Sequence, residues 1–461
     1  MKTILFVISD LHLGGAPAGN GKPSFQMCSP AGRTRLAEFI EYARKQQQPD
    51  QDVHLVINGD IVDFLAEEEF AAFTDSDSKA KAKLERIITN TQEVWKSLES
   101  FLRSGAKLTM LLGNHDVELS LPGPRRVLLE QLGPGRVEFI YDNQAFVEGL
   151  VLIEHGNRYD SWNVISHDAL REVRSALSRG ENAPAYECPA GSLMVINIMN
   201  KIKGRFPFVD LLKPEDAGLL PLLAVLEPSS MKELSKIIPL WRKQSQVQFD
   251  DAGIPVDLAN IAAATSQDEQ LITLAQELAY GDVANIGFVD DMKSIAELWQ
   301  LARSKDDREL QLKRLYVALR ARAESTWQTF DVNRETDQFI KPVKAAAERG
   351  FKVVVFGHTH LVKRVPLDQQ GAVYLNSGTW ADLMQVPDAV LSGDEAEGKK
   401  QLEKFVSDLV ANKLENWRRL VPTFARIELN AAAVIAADVY FFDGPNQVQR
   451  VPDGRLTRLV N

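Results

Sequence analysis

The sequence predicts a layered α/β protein with a large all-helical insertion, and three observations predict it. Short apolar runs rich in β-branched residues recur at 4–8, 53–57, 151–153 and 353–356. Helical patterns alternate with such runs over residues 1–155, as they do in layered α/β chains. From about residue 161 to 335 strand signals vanish, and helical stretches such as 292–303 and 308–329 take over.

Taken in order, the run at 4–8 reads as the first strand. Residues 35–45 then place Leu36, Phe39, Ile40 and Ala43 on one helical face. After the strand at 53–57, the acidic, turn-rich stretch 67–77 reads as a solvated loop. Residues 83–102 carry one broad apolar stripe from Leu84 to Leu102, and 137–141, 144–147 and 150–153 read as neighbouring short strands. The helical region is broken by Pro184, Pro189, Gly204, Pro207, Pro214, Pro221 and Pro228, and is long enough for its own core. Strands resume at 352–356 and 372–375, followed by a helix near 395–417 and strands at 423–428 and 433–442. The expected organisation is a discontinuous domain, 1–160 plus 336–461, with a helical insertion at 161–335 that caps the functional site.

Bulk properties narrow the function. The 461 residues are 45% hydrophobic and 25% charged, as in ordinary globular proteins. A net charge of -10 and a pI near 5.4 speak against general nucleic-acid binding. Two cysteines, Cys28 and Cys188, make no disulfide framework and suit a reducing cytoplasm. Lys2 and the run at 4–8 faintly imitate a secretory signal, but the run is too short and leads into Asp10, so no cleaved leader is expected. The apolar segment 219–226 is too short to span a bilayer; it reads as core, with peripheral membrane contact left open.

The chemistry lies just after the strands. Five stretches read Asp10-Leu11-His12, Gly59-Asp60-Ile61-Val62-Asp63, Gly113-Asn114-His115-Asp116, Glu154-His155-Gly156 and Gly357-His358-Thr359-His360. They hold five of the seven histidines. Mixed carboxylate, amide and imidazole ligands without thiolate suit divalent Mn, Fe, Zn, Co or Ni, with manganese placed first. In an extended chain residues i and i+2 share a side, so Asp10 with His12, and His358 with His360, are expected to act as pairs. Asp60 is the natural bridge between two ions through its two oxygens. Ions about 3.5–4 Å apart would share a hydroxide and clamp a phosphoryl group for in-line attack.

In this order the five motifs resemble the calcineurin-like metallophosphoesterase superfamily over roughly residues 1–160 and 340–380. The resemblance implies an α-β-β-α sandwich and a two-metal phosphoesterase. It assigns Asp10, His12, Asp60 and His360 to one metal and Asp60, Asn114, His155 and His358 to the other. His115 would stabilise the transition state or protonate the leaving oxygen, with Asp116 orienting it. Ser9-Asp10-Leu11-His12-Leu13-Gly14 and Asn376-Ser377-Gly378-Thr379-Trp380 resemble the bacterial branch related to UDP-2,3-diacylglucosamine diphosphatase, which implies a lipid-linked nucleotide substrate. The insertion is longer than in that branch, and Asn157-Arg158 follows Gly156 where it carries an acidic residue.

The remaining polar residues carry two readings each. Asp63 suits either steadying a neighbouring histidine or capping a helical first turn. Arg158 suits a substrate phosphate or a surface salt bridge. Tyr159, Trp162, His54 and His167 read as structural, and Lys22 and Arg33 as solvated loop charges or substrate contacts. The alternatives to a phosphoester or pyrophosphate hydrolase are a nuclease or cyclic-nucleotide phosphodiesterase, and a non-catalytic interaction protein on the same fold. A protein phosphatase fits less well, because Phe64 follows Asp63 and Asp116 follows His115.

Overall fold

A computed structural model describes residues 2–17, 24–214, 218–227, 308–367, 371–431 and 433–459. The helix expected at 292–303 and Lys22 lie outside them. The chain divides into two compact units, one of residues 1–196, 331–382 and 420–456, the other of 197–330, 383–419 and 457–461.

The first unit is built on two sheets. β1 (Lys2–Ile8), β2 (Gln51–Asn58), β3 (Lys107–Leu111) and β4 (Arg136–Ile140) lie side by side and parallel. The second sheet joins β5 (Phe146–Glu148), β6 (Val151–Ile153), β7 (Val353–Phe356), β8 (Lys363–Pro366) and β9 (Val373–Asn376) in the order β5-β6-β7-β9-β8. Its inner strands β6, β7 and β9 are parallel and its edges antiparallel. Beyond β1 the first sheet continues antiparallel through β10 (Thr423–Asn430), β11 (Ala433–Phe442) and β12 (Val448–Arg450).

Strand alternation explains the layering. Ile4, Phe6 and Ile8 of β1 and Val53, Leu55 and Ile57 of β2 join a core with α1 (Pro30–Arg44), α2 (Asp77–Asn90), α3 (Gln92–Arg103), α4 (Pro122–Leu132) and α5 (His167–Ser178). The alternate β2 residues face the other sheet: His54 lies 3.2 Å from Glu148, and the Asn58 amide donates to the Glu154 carbonyl at 2.8 Å. The outer side of the second sheet is covered by the helix Asp337–Glu348, whose Phe339, Val343 and Ala346 pack with Val354, Phe356 and Tyr374. Helix, sheet, sheet and helix make the expected sandwich.

Local details differ from the sequence pattern. The stripe at 83–102 is two helices, broken at Thr91, whose hydroxyl donates to the Ile87 carbonyl and accepts the Trp95 indole N–H. The stretch 67–77 is not uniformly solvated, since Glu67 is 3% exposed and accepts the Gly15 N–H. The short β8 and β12, rich in Lys, Arg, Gln and Pro, carry too little apolar signal to be read as strands.

The second unit is helical among the described residues. Arg308–Ala321 packs with Glu395–Val410 and Leu220–Leu226, and Leu222, Leu223, Leu315, Leu319, Phe405 and Leu409 are buried. Its bounds differ from the expected 161–335: residues 161–196 cluster with the sheets, and 383–419 with the helices. The 308–329 stretch is broken at Arg322. No helix among the described residues is long and apolar enough to cross a membrane.

Candidate metal centre

All five motifs follow the carboxyl ends of parallel strands, β1, β2, β3, β6 and β7, where α/β sheets open their crevices. The backbone there turns sharply. Asp10, His12, Asp60, His358 and His360 have φ of 53°, 42°, 49°, 68° and 65°, the left-handed region that such side chains seldom adopt. Asp10 and His12 do stand in one group, though not through an extended chain, while the pairing of His358 with His360 is corrected. His358 and His360 point into different groups, because the chain between them is coiled rather than extended.

Neighbouring loops hold these corners in place. Asp10 N–H donates to the Gly59 carbonyl at 3.2 Å and His12 N–H to the Asp60 carbonyl at 3.0 Å. Asp10 Oδ2 accepts the His358 N–H at 2.9 Å, and Asp60 Oδ1 accepts the His115 N–H at 2.8 Å. Gly113 allows the second contact, since a Cβ there would stand 2.0 Å from Asp60 Oδ1. Each aspartate thus spends one oxygen on the opposing loop and keeps the other for the site.

Three groups of possible ligand atoms occur among the described residues; one, His12, Asp63 and His115, places the predicted catalytic histidine beside a ligand, and the other two gather predicted ligands only. In the first, Asp10, His12 and His360 offer atoms within 4.8 Å of one another; His12 Nε2 lies 3.0 Å from His360 Nε2, which lies 3.4 Å from Asp10 Oδ1. The second comprises Asp60, His155 and His358, again within 4.8 Å. Asp60 Oδ2 stands 3.3 Å from His155 Nε2 and 3.8 Å from His12 Nε2. One oxygen of Asp60 faces both groups, rather than one oxygen for each, because Oδ1 is held by His115.

The donor set fits divalent cations. Asp10 Oδ1, Asn114 Oδ1 and His155 Nε2 are buried without hydrogen bonds, a costly arrangement unless a cation satisfies them. His155 Nδ1 donates to the Asn58 carbonyl at 2.7 Å, leaving Nε2 with its lone pair, the usual arrangement of a ligating histidine. Two imidazole nitrogens only 3.0 Å apart also need something positive, proton or metal, between them.

Charge shifts follow the crowding. Burial works against the Asp10 carboxylate, yet His360 and His155 bring it down to about 2. Asp60 and Asp63 are likewise held well below the usual range, against burial, by His155 and His115 respectively. Burial disfavours charge on His155 and His115 too, but Asp60 lifts the first to about 10 and Asp63 the second to about 9.

Asp63 does both things the sequence left open. Its Oδ1 accepts the Ala66 N–H at 3.1 Å as a cap, and lies 3.2 Å from His115 Nδ1, while Oδ2 is 3.6 Å from His12 Nδ1. Asp116 does not orient His115, contrary to the resemblance. Its carboxylate accepts the Gly113 and Ile61 N–H groups, each at 2.7 Å, because its loop folds back toward β2. Burial and the Asp60 charge push Asp116 up to about 7.

Other expected residues fall away from the ligands. Arg158 pairs with Glu154 at 3.5 Å and lies over the Tyr159 ring, which stacks on Phe356. Arg33 is held by Glu93 and the Cys28 carbonyl, His54 by Thr109 and Glu148, and His167 stands 3.8 Å from Asp142. The stretch Asn376–Trp380 braces the first group: Thr379 hydroxyl and Trp380 N–H both donate to the Asp10 carbonyl, and Asn376 donates to the Gly357 carbonyl. Sequence reasoning missed Asn58, Asp160 and Asn163. Asp160 Oδ2 lies 2.9 Å from His358 Nε2, so an acidic residue does stand by this loop, five positions after His155 instead of two.

No curated protein matches the chain. Residues 4–185 match the family model described as calcineurin-like phosphoesterase, a metal-dependent family, and the Asp and His groups able to hold metal ions lie within that span and on the Gly357–His360 loop beside it.

Proposed function

We propose that the protein is a two-metal hydrolase that cleaves a phosphoester or pyrophosphate bond. The observation that carries this reading is the pair of ligand groups sharing Asp60 Oδ2, with buried donor atoms that make no hydrogen bond. Asp10, His12, Asp60 and His360 would hold one ion, and Asp60, Asn114, His155 and His358 the other. When bound, the ions would polarise the phosphoryl oxygens and activate water for in-line attack. His115, with Nδ1 committed to Asp63, has Nε2 for a substrate oxygen, and its pKa near 9 keeps it protonated at neutral pH. It is suited to stabilise the charged transition state or to hand a proton to the leaving oxygen.

The finer reading is a lipid-linked nucleotide pyrophosphate as substrate, manganese as the metal and a cytoplasmic setting. The Ser9–Gly14 and Asn376–Trp380 resemblances support the substrate, while Asn157-Arg158 departs from that branch. The helical insertion is proposed to select substrates, since it enters the chain between the His155 and His358 motifs.

The test is turnover of p-nitrophenyl phosphate, bis-p-nitrophenyl phosphate and UDP-linked sugars and lipids, with and without Mn²⁺ after chelation. Metal-dependent hydrolysis of at least one is expected. Full metal occupancy with no hydrolysis of any phosphoester would overturn the proposal.

A further inference from the structure

Asp160 and Asn163 lie on the loop after His155, and both are tied to residues of the metal-binding groups. His358 Nε2–H donates to Asp160 Oδ2 at 2.9 Å, and the same oxygen accepts the Asn163 amide at 2.7 Å. Asn163 Oδ1 in turn accepts from Asn114 Nδ2 at 3.3 Å. The loop is closed on itself: Asp160 Oδ1 accepts the Trp162 N–H at 3.0 Å, and Asn157 donates to the Asn163 carbonyl at 2.8 Å. Gly191 N–H reaches the Trp162 carbonyl at 2.8 Å. A Cβ on Gly191 would stand 2.2 Å from Asn163 Oδ1.

This chain of bonds settles two orientations. An ionised carboxylate only accepts, so Asp160 makes His358 Nε2 the protonated nitrogen and leaves the lone pair on Nδ1. An amide whose Nδ2 is committed to Asn163 turns its oxygen the other way, and Asn114 Oδ1 is the buried oxygen without a hydrogen bond. One loop therefore orients a ligand after β3 and a ligand after β7, which belong to different sheets.

We propose that Asp160 and Asn163 are positioning residues for the Asp60–Asn114–His155–His358 site, setting the tautomer of His358 and the amide orientation of Asn114. The proposal rests on the two-metal reading. Partners of this kind change metal affinity by about 10–100-fold.

The experiment is calorimetric titration of chelator-stripped full-length protein with Mn²⁺, with bound metal counted after dialysis and folding followed by circular dichroism. Asp160→Ala is expected to weaken one of two sites by about 10–100-fold and leave the other unchanged. Asp160→Asn, which keeps an acceptor for His358, should recover part of the loss. Asn163→Ala should weaken the same site while leaving Asp160 in place, and it carries the test if Asp160→Ala does not fold. Wild-type affinities at both sites in the folded variants would overturn this proposal and leave the two-metal reading standing. A wild-type protein that binds no divalent ion would overturn both.

Discussion

The Asp10–His12–His360 group and the Asp60–Asn114–His155–His358 group stand on the same kind of backbone corner but are held by different parts of the chain. The first is braced by the short segments that directly follow β9 and β2: Asp10 by the Thr379 hydroxyl and Trp380 N–H, His12 by the Asp60 carbonyl and Asp63. The second takes one brace from the sheet, Asn58 to His155, and two from the 160–163 loop. A ligand braced within a few residues of a strand end shares the sheet's rigidity, whereas one braced by a loop farther along the chain moves with that loop. The first group is therefore expected to bind the tighter ion.

The most damaging way to break this comparison is to remove what the groups share. Asp60→Ala should lose both ions and reduce hydrolysis to background, because Asp60 Oδ2 faces His12 and His155 alike. Metal analysis of the dialysed variant checks it, and retention of either ion at wild-type affinity contradicts the shared-oxygen reading.

His115 belongs to neither group yet leans on Asp63 beside the first and on Asp60 of the second. His115→Ala should keep both ions and lower kcat by about 10²–10⁴-fold. The loss should shrink for substrates with good leaving groups, which need no proton. An equal loss for p-nitrophenyl and alkyl esters argues for transition-state binding instead.

Two glycines separate the groups. A Cβ on Gly357 would stand 2.4 Å from Ser9 Oγ and 2.7 Å from Asp10 Oδ2, whereas one on Gly59, at φ 81°, would stand 2.4 Å from His155 Nδ1. Gly357→Ala should therefore disturb the first ion and Gly59→Ala the second, each at a stability cost of about 1–3 kcal/mol. Manganese titrations showing the same site weakened in both variants would sink the separation.

The gentlest probe is pH. In metal-free protein His155 and His115 carry pKa values raised from 6.5 to about 10 and about 9. Protons are then bound more tightly in the folded state than in the unfolded one. Their stabilisation is complete below pH 6.5 and is lost as pH climbs through 9 and 10. A bound cation replaces the proton on its ligand His155 but not the one on His115, so the loaded protein should keep only the part of the decline that runs through pH 9. Thermal melts from pH 6.5 to 10, with chelator and with Mn²⁺, test it; parallel curves would refute the linkage.

Much of the site was legible in the residues because its signals are local. A β-branched run followed within a few positions by Asp, Asn or His is a one-dimensional pattern, and the five motifs need no distant information to be seen. Asp63 shows where such reading stops. Its cap to Ala66 lies three residues away, but its contacts to His12 and His115 join chain segments about fifty residues apart. The split at Thr91 was hidden for a related reason: both helices present apolar faces to one core, so periodicity runs on across the break.

Residue types and their places after the strands thus set the ligand chemistry and the α/β class, since alternation, helical period and motif order are properties of neighbouring residues. Three-dimensional packing decided the rest. It gave Asp60 one shared oxygen, handed His115 to Asp63 instead of Asp116, and brought Asp160 and Asn163 to the ligands. Each depends on left-handed corners and on contacts between two sheets. Spacing along the chain carries no record of either.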